Sequence, residues 1–342
     1  MFVAAIALLP YSDARPCEDE TAVRWAISQD GGAWHSNYLR IYGKPATDCL
    51  VVDLHDVTAH RLGAYYLHYA DNTQCVNSIL KEDALKFVTE DHVRYIPPSS
   101  AAFAALLRWS AFKTTGDKAH LDEFMRIASW LVKNQQNGRW EWRIPIPALD
   151  MRPPWISAYT QCYAISVMLR AYQETRNRKY LEAARKAMHW VKRSIKNGGV
   201  TFFSRTGAWL EEYPNPNTPS HILNGHLAAM LGVWDYYRVT GDPGAKRLFD
   251  AAANAVKADI GKYDLGYWFV YSRLNRVDVI NASYMNYVAK NLDVLGAITG
   301  DSFFSRYGAR VSEYLTSESL FCKMATDRYA REHPSGTPSA GR

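Results

Sequence analysis

The sequence predicts a mainly α-helical protein, an (α/α) toroid of helical hairpins with a small N-terminal β-containing region. From residue 99 onward, apolar residues recur at helical spacing in paired segments. Three of these pairs are joined by a Thr-Gly-Asp turn, and the pairs follow one another at roughly 60-residue intervals. Hairpins that cannot bury their own apolar faces must stack on neighbours. A ring is favoured over a straight solenoid because no polar capping repeat is evident at either end.

The chain is expected to divide into three regions. Residues 1–52 are predicted as strands and loops packed on the barrel, residues 53–320 as the barrel, and residues 321–342 as a partly disordered tail. Helical spacing also predicts two helical stretches between residues 53 and 90. The later helices are predicted at 99–115 with a second to 136, 159–175 with 179–196, 221–240 with 243–260, and 282–299 with 303–315.

The turn residues explain where these helices stop and restart. A glycine just past a helix adopts the left-handed conformation, and an aspartate at the next N-cap accepts a backbone hydrogen bond. The Thr-Gly-Asp turns begin at Thr115, Thr240 and Thr299, whereas one hairpin uses Arg176-Asn177-Arg178 instead. These turns are short, so each pair of helices is predicted to be antiparallel.

The connections between hairpins are long and aromatic. They span 139–154, 198–217 and 262–280, and alternating residues at 200–203 suggest a β-hairpin in one of them. Because the turns within hairpins are all short, the long connections are expected at one end of the ring. Loops held by a rigid scaffold are a common place for binding and chemistry.

The amino-acid composition limits the class of partner that the protein is expected to bind. The 342 residues are 48% hydrophobic and 13% aromatic, with 22 Tyr and 11 Trp, and the formal net charge is +6. Lys and Arg are scattered without the dense basic patch of a nucleic-acid binder. Mild, spread basicity favours an anionic substrate, and the excess of Tyr and Trp favours a stacking surface.

The cysteines and the N-terminal residues give an expectation about the cellular compartment of the protein. Five dispersed cysteines without C-x-x-C or zinc spacing predict no metal site and a reducing, cytoplasmic compartment, with periplasmic or secreted alternatives. The apolar run 2–9 is far shorter than the roughly 20 residues of a membrane span. It lacks a basic n-region, so a buried first strand is preferred to a truncated signal peptide. No cofactor is predicted, and a homodimer is allowed.

The stretch 211–225 is the centre of the functional hypothesis. Glu211, Glu212 and Tyr213 place two carboxylates beside a phenol, and a proline-rich turn follows before the next helix. Proline fixes φ and removes a donor, so this segment is predicted as a shaped loop. An acidic surface loop without function is the alternative.

Three blocks of sequence point to a family. They are Pro153-Pro154-Trp155-Ile156-Ser157-Ala158 with Gln161, Ala164-Ile165-Ser166 and Arg170-Ala171-Tyr172; Glu211-Glu212-Tyr213-Pro214 with Pro219-Ser220 and Leu223-Asn224-Gly225; and Tyr263-Asp264 with Tyr271, Tyr284 and Lys290. In content and order they resemble the C-terminal domain of the D-glucuronyl C5-epimerases. The resemblance covers roughly residues 100–316.

This resemblance implies an (α/α) barrel preceded by β-structure. It implies inversion at C5 of a uronic acid within a polysaccharide, D-glucuronyl to L-iduronyl, on a heparan- or heparosan-like polymer. Tyr213, Tyr271 and Tyr284 match tyrosines of the family's active site, and Glu212 matches its neighbouring acidic residue. The chain departs from the family at Leu274, where an Arg is usual, and at Met285 and Val288, where histidines are usual.

The chemistry explains why such residues are needed. The C5 hydrogen lies α to a carboxylate, so its removal requires a base, a proton donor on the other face, and offset of the carboxylate charge. Tyrosine suits both proton roles if a nearby guanidinium favours the phenolate, and Glu212 is the rival base. The arginines expected to line the cleft are Arg143, Arg152, Arg273 and Arg276.

Other residues are predicted to contact the sugars. Trp140, Trp142 and Trp155 would be platforms for sugar rings, with loop anchoring as the alternative. Gln161 is assigned to substrate binding from its block. The predicted hydrogen-bonding residues at the helix start, or its cap, are His221 and Asn224.

Three rival functions share this scaffold. A polysaccharide lyase removes the same proton but expels the 4-substituent. A glycoside hydrolase would need two carboxylates about 5–10 Å apart. Its candidates are Glu211, Glu212, Asp264 and Asp278. The non-enzyme alternative is a carbohydrate-binding protein.

Overall fold

The computed structural model describes residues 17, 19–29, 50–69, 83–90, 92–274 and 279–333. The helices in these ranges are α1 (Glu20–Gln29), α2 (Pro98–Thr115), α3 (Lys118–Lys133), α4 (Ala158–Thr175), α5 (Arg178–Val191), α6 (Leu223–Thr240), α7 (Pro243–Asp259), α8 (Ala282–Thr299), α9 (Ser302–Thr316) and α10 (Glu318–Glu332). The strands form three antiparallel pairs, β1 (Leu50–Val52) with β2 (Leu67–Tyr69), β3 (Val88–Glu90) with β4 (Val93–Tyr95), and β5 (Thr201–Ser204) with β6 (Gly207–Leu210). The predicted first strand at 2–9 lies outside the described residues.

The predicted turn chemistry is confirmed. Gly116, Gly241 and Gly300 end their helices with φ of 73°, 68° and 67°, values that glycine adopts without strain. In each case the next residue is an Asp whose side chain accepts a backbone N–H of the following helix. In the exceptional hairpin, Arg176 takes the left-handed position at φ 58° and Asn177 caps α5.

The four hairpins form the predicted (α/α) toroid. The inner helices α2, α4, α6 and α8 pack side by side, and α3, α5, α7 and α9 lie outside them. The β1–β2 hairpin contacts both α8 and α2, so it fills the gap between the first and last inner helices. Inner helices are parallel, because each is separated from the next by one outer helix running back.

Burial distinguishes the two layers. Most residues of α4 and α6 are buried, whereas the outer helices bury one face only. A small residue permits the closest approach of the inner pair: a Cβ added at Gly232 would lie 2.4 Å from the carbonyl oxygen of Cys162. Any larger residue there would force these helices apart.

One end of the ring is closed by the segment 53–66, here called the floor. The Arg238 guanidinium donates to the carbonyls of Asp56, Ala59 and Arg61 at 2.6, 2.6 and 3.1 Å. The Trp109 indole N–H donates to the carbonyl of Gly63 at 2.8 Å. The predicted helical stretches between 53 and 90 are therefore wrong for the described part of this region, which forms strands and turns. Its carbonyls are satisfied by inner-helix side chains instead of by a helix of its own.

A buried charge network joins the floor to the inner helices. Arg170 of α4 and Asp235 of α6 are 2.6 Å apart, and both side chains are 0% exposed. The Tyr66 hydroxyl donates to Asp235 at 2.6 Å and accepts from Arg238 at 2.9 Å. Burial, and then the charge of Asp235, raise the pKa of the Tyr66 phenol, so it is a neutral donor.

The two terminal helices pair with each other. Cys17, just before α1, forms a disulfide with Cys322 of α10, and the Trp25 ring packs against Tyr329. Two expectations need correction here. Residues 1–52 include a helix as well as a strand, and the described part of the predicted tail, 321–333, is mostly the ordered helix α10. The dispersed cysteines suggested reduced thiols because a pairing across 305 residues leaves no local pattern.

Candidate active site

The four residues matched to the family's active site meet at the end of the ring where the inner helices begin, here called the mouth. Glu212 and Tyr213 follow β6, and the Glu211 carbonyl accepts from the first N–H of α4, that of Ala158, at 2.9 Å. Tyr271 lies in the connection before α8, and Tyr284 in the first turn of α8. The rings of Tyr271 and Tyr284 stack, with centroids 5.9 Å apart.

The proline-rich loop after Tyr213 is held by its own turn. The side-chain oxygen of Asn215 accepts from the backbone N–H groups of Asn217 and Thr218 at 2.9 and 3.3 Å. Its amide group donates to the carbonyl of Leu149 at 3.1 Å, which ties the loop to the preceding connection. The segment is thus the shaped loop that its sequence predicts.

Glu212 is the central ionisable group of the mouth. Its side chain is 7% exposed and lies against Gly225 in the first turn of α6, where an added Cβ would be 2.2 Å from its Oε2. Only glycine at that position leaves room for the carboxylate. Burial raises the pKa of Glu212 to about 7, hydrogen bonding from Tyr213 and Tyr271 opposes the rise, and the charge of Glu211 adds to it.

The tyrosines are neutral at physiological pH. Burial is the main cause that raises the pKa of Tyr213, Tyr271 and Tyr284, and the charge of Glu212 is the next cause for each. Among the described residues, no cation is a main influence on these three hydroxyls, so the described arginines do not support the argument that a guanidinium favours a phenolate. They are suited to donating hydrogen bonds and protons.

Sequence reasoning missed Tyr159. It lies in the first turn of α4, as Tyr284 does in α8, and burial and then the charge of Glu212 raise its pKa. Hydrogen bonding with Ser99 and Thr160 opposes that rise. A tyrosine in the first turn of an inner helix was the signal that could have found it.

The predicted aromatic platforms divide into two groups. Trp142 and Trp155 stack with centroids 5.4 Å apart and planes at 7°, and the Tyr213 ring lies 5.6 Å beyond Trp155. Trp140 is 1% exposed, and its indole N–H donates to the carbonyl of Leu131. Trp155 is 7% exposed, and its indole N–H donates to the carbonyl of Ile144 at 2.8 Å. The half-buried Trp142 therefore remains the candidate platform, whereas Trp140 and Trp155 anchor the connection, which was the alternative role.

Gln161 also belongs to the interior. Its amide is fully buried and pairs with the backbone of Trp140, accepting at 3.0 Å and donating at 2.8 Å. Both hydrogen-bonding groups of the side chain are used by this contact. The expectation that Gln161 binds substrate is therefore corrected: it holds the start of the 139–154 connection on α4.

The predicted arginines are not gathered at the mouth. Arg273 is bound by Asp259 at 2.7 Å, so its guanidinium is already paired. Arg152 is 88% exposed and 3.6 Å from Asp150, a surface pair. Arg143 is exposed beside Trp142, and Arg276 lies outside the described residues. Among the arginines that the structure describes, Arg143 remains the candidate for an anionic substrate group.

His221 and Asn224 take different places. The His221 ring contacts the buried carboxylate of Glu211 and is itself nearly buried. Asn224 lies in the first turn of α6, half-buried, and neither side chain caps that helix. His221 therefore faces the scaffold behind the mouth, and Asn224 remains a candidate for substrate contact. Within the described ranges, no group of three His, Cys, Asp or Glu side chains is arranged to hold a metal ion.

Fold and site together define a helical-ring protein whose mouth holds a buried carboxylate among tyrosine hydroxyls. The sequence model described as "D-glucuronyl C5-epimerase C-terminus" matches residues 133–313, more than half of the chain. The chain belongs to this family.

Two relatives extend the comparison. The D-glucuronyl C5-epimerase of Caenorhabditis elegans is 33% identical over 171 residues, which are 44% of this chain and 27% of that protein. An uncharacterized protein of Methanocaldococcus jannaschii is 26% identical over 172 residues, 49% of this chain and 55% of that one. The chain thus spans about a quarter and about half of the length of the two curated relatives.

Two solved structures resemble the chain at low sequence identity. An unsaturated glucuronyl hydrolase specific for heparin has a TM-score of 0.47 at 13% identity, over 69% of this chain and 75% of that chain. A polysaccharide lyase has a TM-score of 0.47 at 11% identity, over 93% of this chain and 98% of that chain. Within the described ranges, no helix combines the length and apolar composition needed to cross a bilayer.

Proposed function

We propose that this protein is a uronyl C5-epimerase, which removes the C5 proton of a uronic acid residue in an anionic polysaccharide and returns a proton to the opposite face. The observation that carries the proposal is Glu212, a buried carboxylate with a pKa of about 7 beside the hydroxyls of Tyr213 and Tyr271. General bases work best when their pKa lies near the operating pH.

The proposed reaction assigns Glu212 as base and a tyrosine as acid. The Glu212 carboxylate takes the C5 proton, and the electron pair of the C–H bond moves into the adjacent carboxyl group. A neutral tyrosine hydroxyl, Tyr213, Tyr271 or Tyr284, gives a proton to C5 from the other face. The hydrogen bonding between Glu212 and two of these tyrosines then offers a route for the proton to return to the phenolate. Epimerisation needs no net proton change.

Charge on the substrate must also be offset. The inner helices all begin at the mouth, and the N-terminal end of a helix carries a partial positive charge with free N–H groups. We assign Arg143 the predicted role of binding a substrate carboxylate, with Arg276 as the second candidate. Trp142 and Asn224 would contact neighbouring sugars, through a ring edge for the tryptophan and an amide for Asn224.

The hydrolase alternative is disfavoured by its carboxylates. Glu211 is fully buried and accepts hydrogen bonds from the scaffold. Asp264 accepts from the Tyr314 hydroxyl at 2.9 Å and pairs with Arg310 at 2.9 Å. Asp278 lies outside the described residues. Glu212 thus has no second available carboxylate among the described candidates, whereas an epimerase or a lyase needs one base only.

The test is nuclear magnetic resonance of an unsulfated glucuronate–glucosamine polymer incubated with the protein in deuterated water. We expect deuterium at C5 together with new iduronate signals. An unsaturated product absorbing in the ultraviolet would show a lyase, and new reducing ends a hydrolase. Binding of the polymer without deuterium at C5 would overturn the proposal in favour of a carbohydrate-binding protein.

We further propose an oxidising compartment, periplasmic or extracellular, instead of the predicted cytoplasm. The Cys17–Cys322 disulfide supports this, since such bonds persist mainly outside reducing cytosol. Reduction is expected to lower stability by ~2–4 kcal/mol, because the bond closes a very long loop. Thermal denaturation with and without reductant measures this, and Cys17→Ser should match the reduced protein. Equal melting temperatures of the oxidised and reduced protein would contradict this expected loss of stability.

The homodimer stays a prediction, which sedimentation analysis can test.

A further inference from the structure

Glu211, the residue before the proposed base, connects three parts of the scaffold. Its backbone N–H donates to the carbonyl of Val200 at 2.8 Å, which extends the β5–β6 pairing. Its carbonyl accepts from Ala158, the first residue of α4, at 2.9 Å. Its side chain is fully buried, so the carboxylate requires partners inside the protein.

Those partners lie in the turn that leads into α6. Glu211 Oε2 accepts from the backbone N–H of His221 at 3.0 Å and from the Ser220 hydroxyl at 3.3 Å. Glu211 Oε1 contacts Nδ1 of the His221 ring. His221 has φ 47°, a left-handed conformation that is uncommon for residues other than glycine. The Tyr263 hydroxyl, which donates to the His221 carbonyl at 2.6 Å, holds the turn from the other side.

This arrangement fixes the position of Glu212. Glu211 contacts the turn before α6, whereas Glu212 interacts with Tyr213 and Tyr271, so the first faces the scaffold and the second faces the mouth. Glu211 ties the start of α4 to the turn before α6, and Gly225 in the first turn of α6 borders the Glu212 carboxylate. A shift of Glu211 would therefore move Glu212 against both inner helices.

We propose that Glu211 is a positioning residue that, together with His221, holds Glu212 at the mouth and places a second carboxylate next to it in the chain. The catalytic consequence rests on the proposed function. Removing the charge should make Glu212 a weaker base, while moving the carboxylate should misplace it.

The charge effect is separable from other influences. The ionisable groups that act on Glu212 are Tyr213, Tyr271 and Glu211, and Glu212 in turn acts on Tyr159 and Tyr284. Behind the mouth, Glu211 faces His221 and Tyr263, with Asp259 and Arg273 also acting on Tyr263. Among the described residues that act on Glu212, Glu211 is the one carboxylate, and its charge raises the pKa of that group.

Glu211→Gln keeps the size of the side chain and an acceptor oxygen but removes the charge. Titration of glutamate side-chain carbons by nuclear magnetic resonance is expected to show a pKa for Glu212 below its value of about 7. The acidic limb of kcat/KM should move to lower pH by the same amount. Glu182→Gln on the outer helix α5, whose exposed carboxylate pairs with Arg185, is the control and should leave both unchanged.

Glu211→Asp tests position without loss of charge. The shorter side chain withdraws from the His221 N–H, so kcat should fall by about 10²-fold with KM nearly unchanged, as small misplacements do. Because the charge is kept, the pKa of Glu212 in Glu211→Asp should stay closer to its value in the natural protein than the pKa in Glu211→Gln does. Should Glu211→Gln fail to fold, a normal kcat in Glu211→Asp would still overturn the proposal.

An unchanged Glu212 titration in folded Glu211→Gln would equally refute it. The titration needs no substrate, so it remains decisive even if the natural protein proves to exchange no C5 proton. Absence of C5 exchange would overturn the proposed function, but the titration would still measure the electrostatic coupling between the two glutamates.

Discussion

Glu212→Gln is expected to slow C5 proton exchange by ~10²–10⁴-fold while polymer binding stays within a few-fold, the usual cost of losing a general base. Gln fills the same space against Gly225 but cannot accept the proton. In the natural protein, kcat/KM should rise with pH through about 7, since the base must be ionised. Exchange rates from nuclear magnetic resonance in deuterated water measure both effects.

The tyrosines are tested in the same assay. Tyr213→Phe, Tyr271→Phe and Tyr284→Phe should each stay folded and lose ~10²–10⁴-fold in inversion. The variant that still exchanges deuterium without inverting C5 identifies the donor on the second face. Tyr172→Phe, at the opposite end of α4, is the matched control. Near-normal inversion in all three variants would mean that these tyrosines only pack.

The raised pKa of Glu212 has a stability signature with a defined sign. Its pKa is about 7 in the folded protein against 4.5 in a model carboxyl, so the folded state holds the proton more tightly. Stability should therefore fall as pH rises from about 4.5 to about 7, by ~3 kcal/mol at most. Glu212→Gln lacks this loss. Its melting temperature should therefore rise relative to that of the natural protein as the pH increases from 5 to 8. If the difference between the two melting temperatures did not change with pH, this would argue against the raised pKa of Glu212.

The largest effect on stability is expected from Asp235→Ala. It leaves the Arg170 guanidinium fully buried without its carboxylate, and removing one partner of such a pair costs about 3–5 kcal/mol. The Tyr66 hydroxyl also loses its acceptor, so the floor should loosen as well. Urea unfolding followed by circular dichroism measures the loss.

Asp250→Asn is the comparison for that variant. Asp250 pairs with Lys246 at 2.7 Å on the outer surface, and its side chain is 51% exposed. Such exposed pairs contribute about 0–1 kcal/mol. A cost for Asp235→Ala as small as that for Asp250→Asn would show that the buried network does not support the fold.

The sequence predicted well those features that depend on residues close together in the chain. The helix ends follow from Gly and Asp side by side, and Glu212 and Tyr213 are neighbours because they stand in one contiguous block. It failed where distant residues decide. The carbonyl of Ala59 is satisfied by Arg238, 179 positions away, so helical spacing near the floor carried no information.

Side-chain direction was the second limit. Trp140 and Trp142 are two residues apart in one connection, yet one is buried in the core and the other borders the mouth. Arg273 seemed available for a substrate until the structure placed Asp259 beside it. In each case the residue type fits both roles, and only the neighbours brought by folding select one.

The closed floor decides how a long substrate can be handled. Leu62, Tyr65 and Tyr66 are almost fully buried where the ring would otherwise be open, so within the described part of the chain that end of the ring is closed. For the proposed substrate, a polysaccharide cannot thread through and be read from one end to the other. Each reacting sugar must approach and leave by the same side, so the polymer has to lie across the mouth with its neighbouring sugars outside the ring.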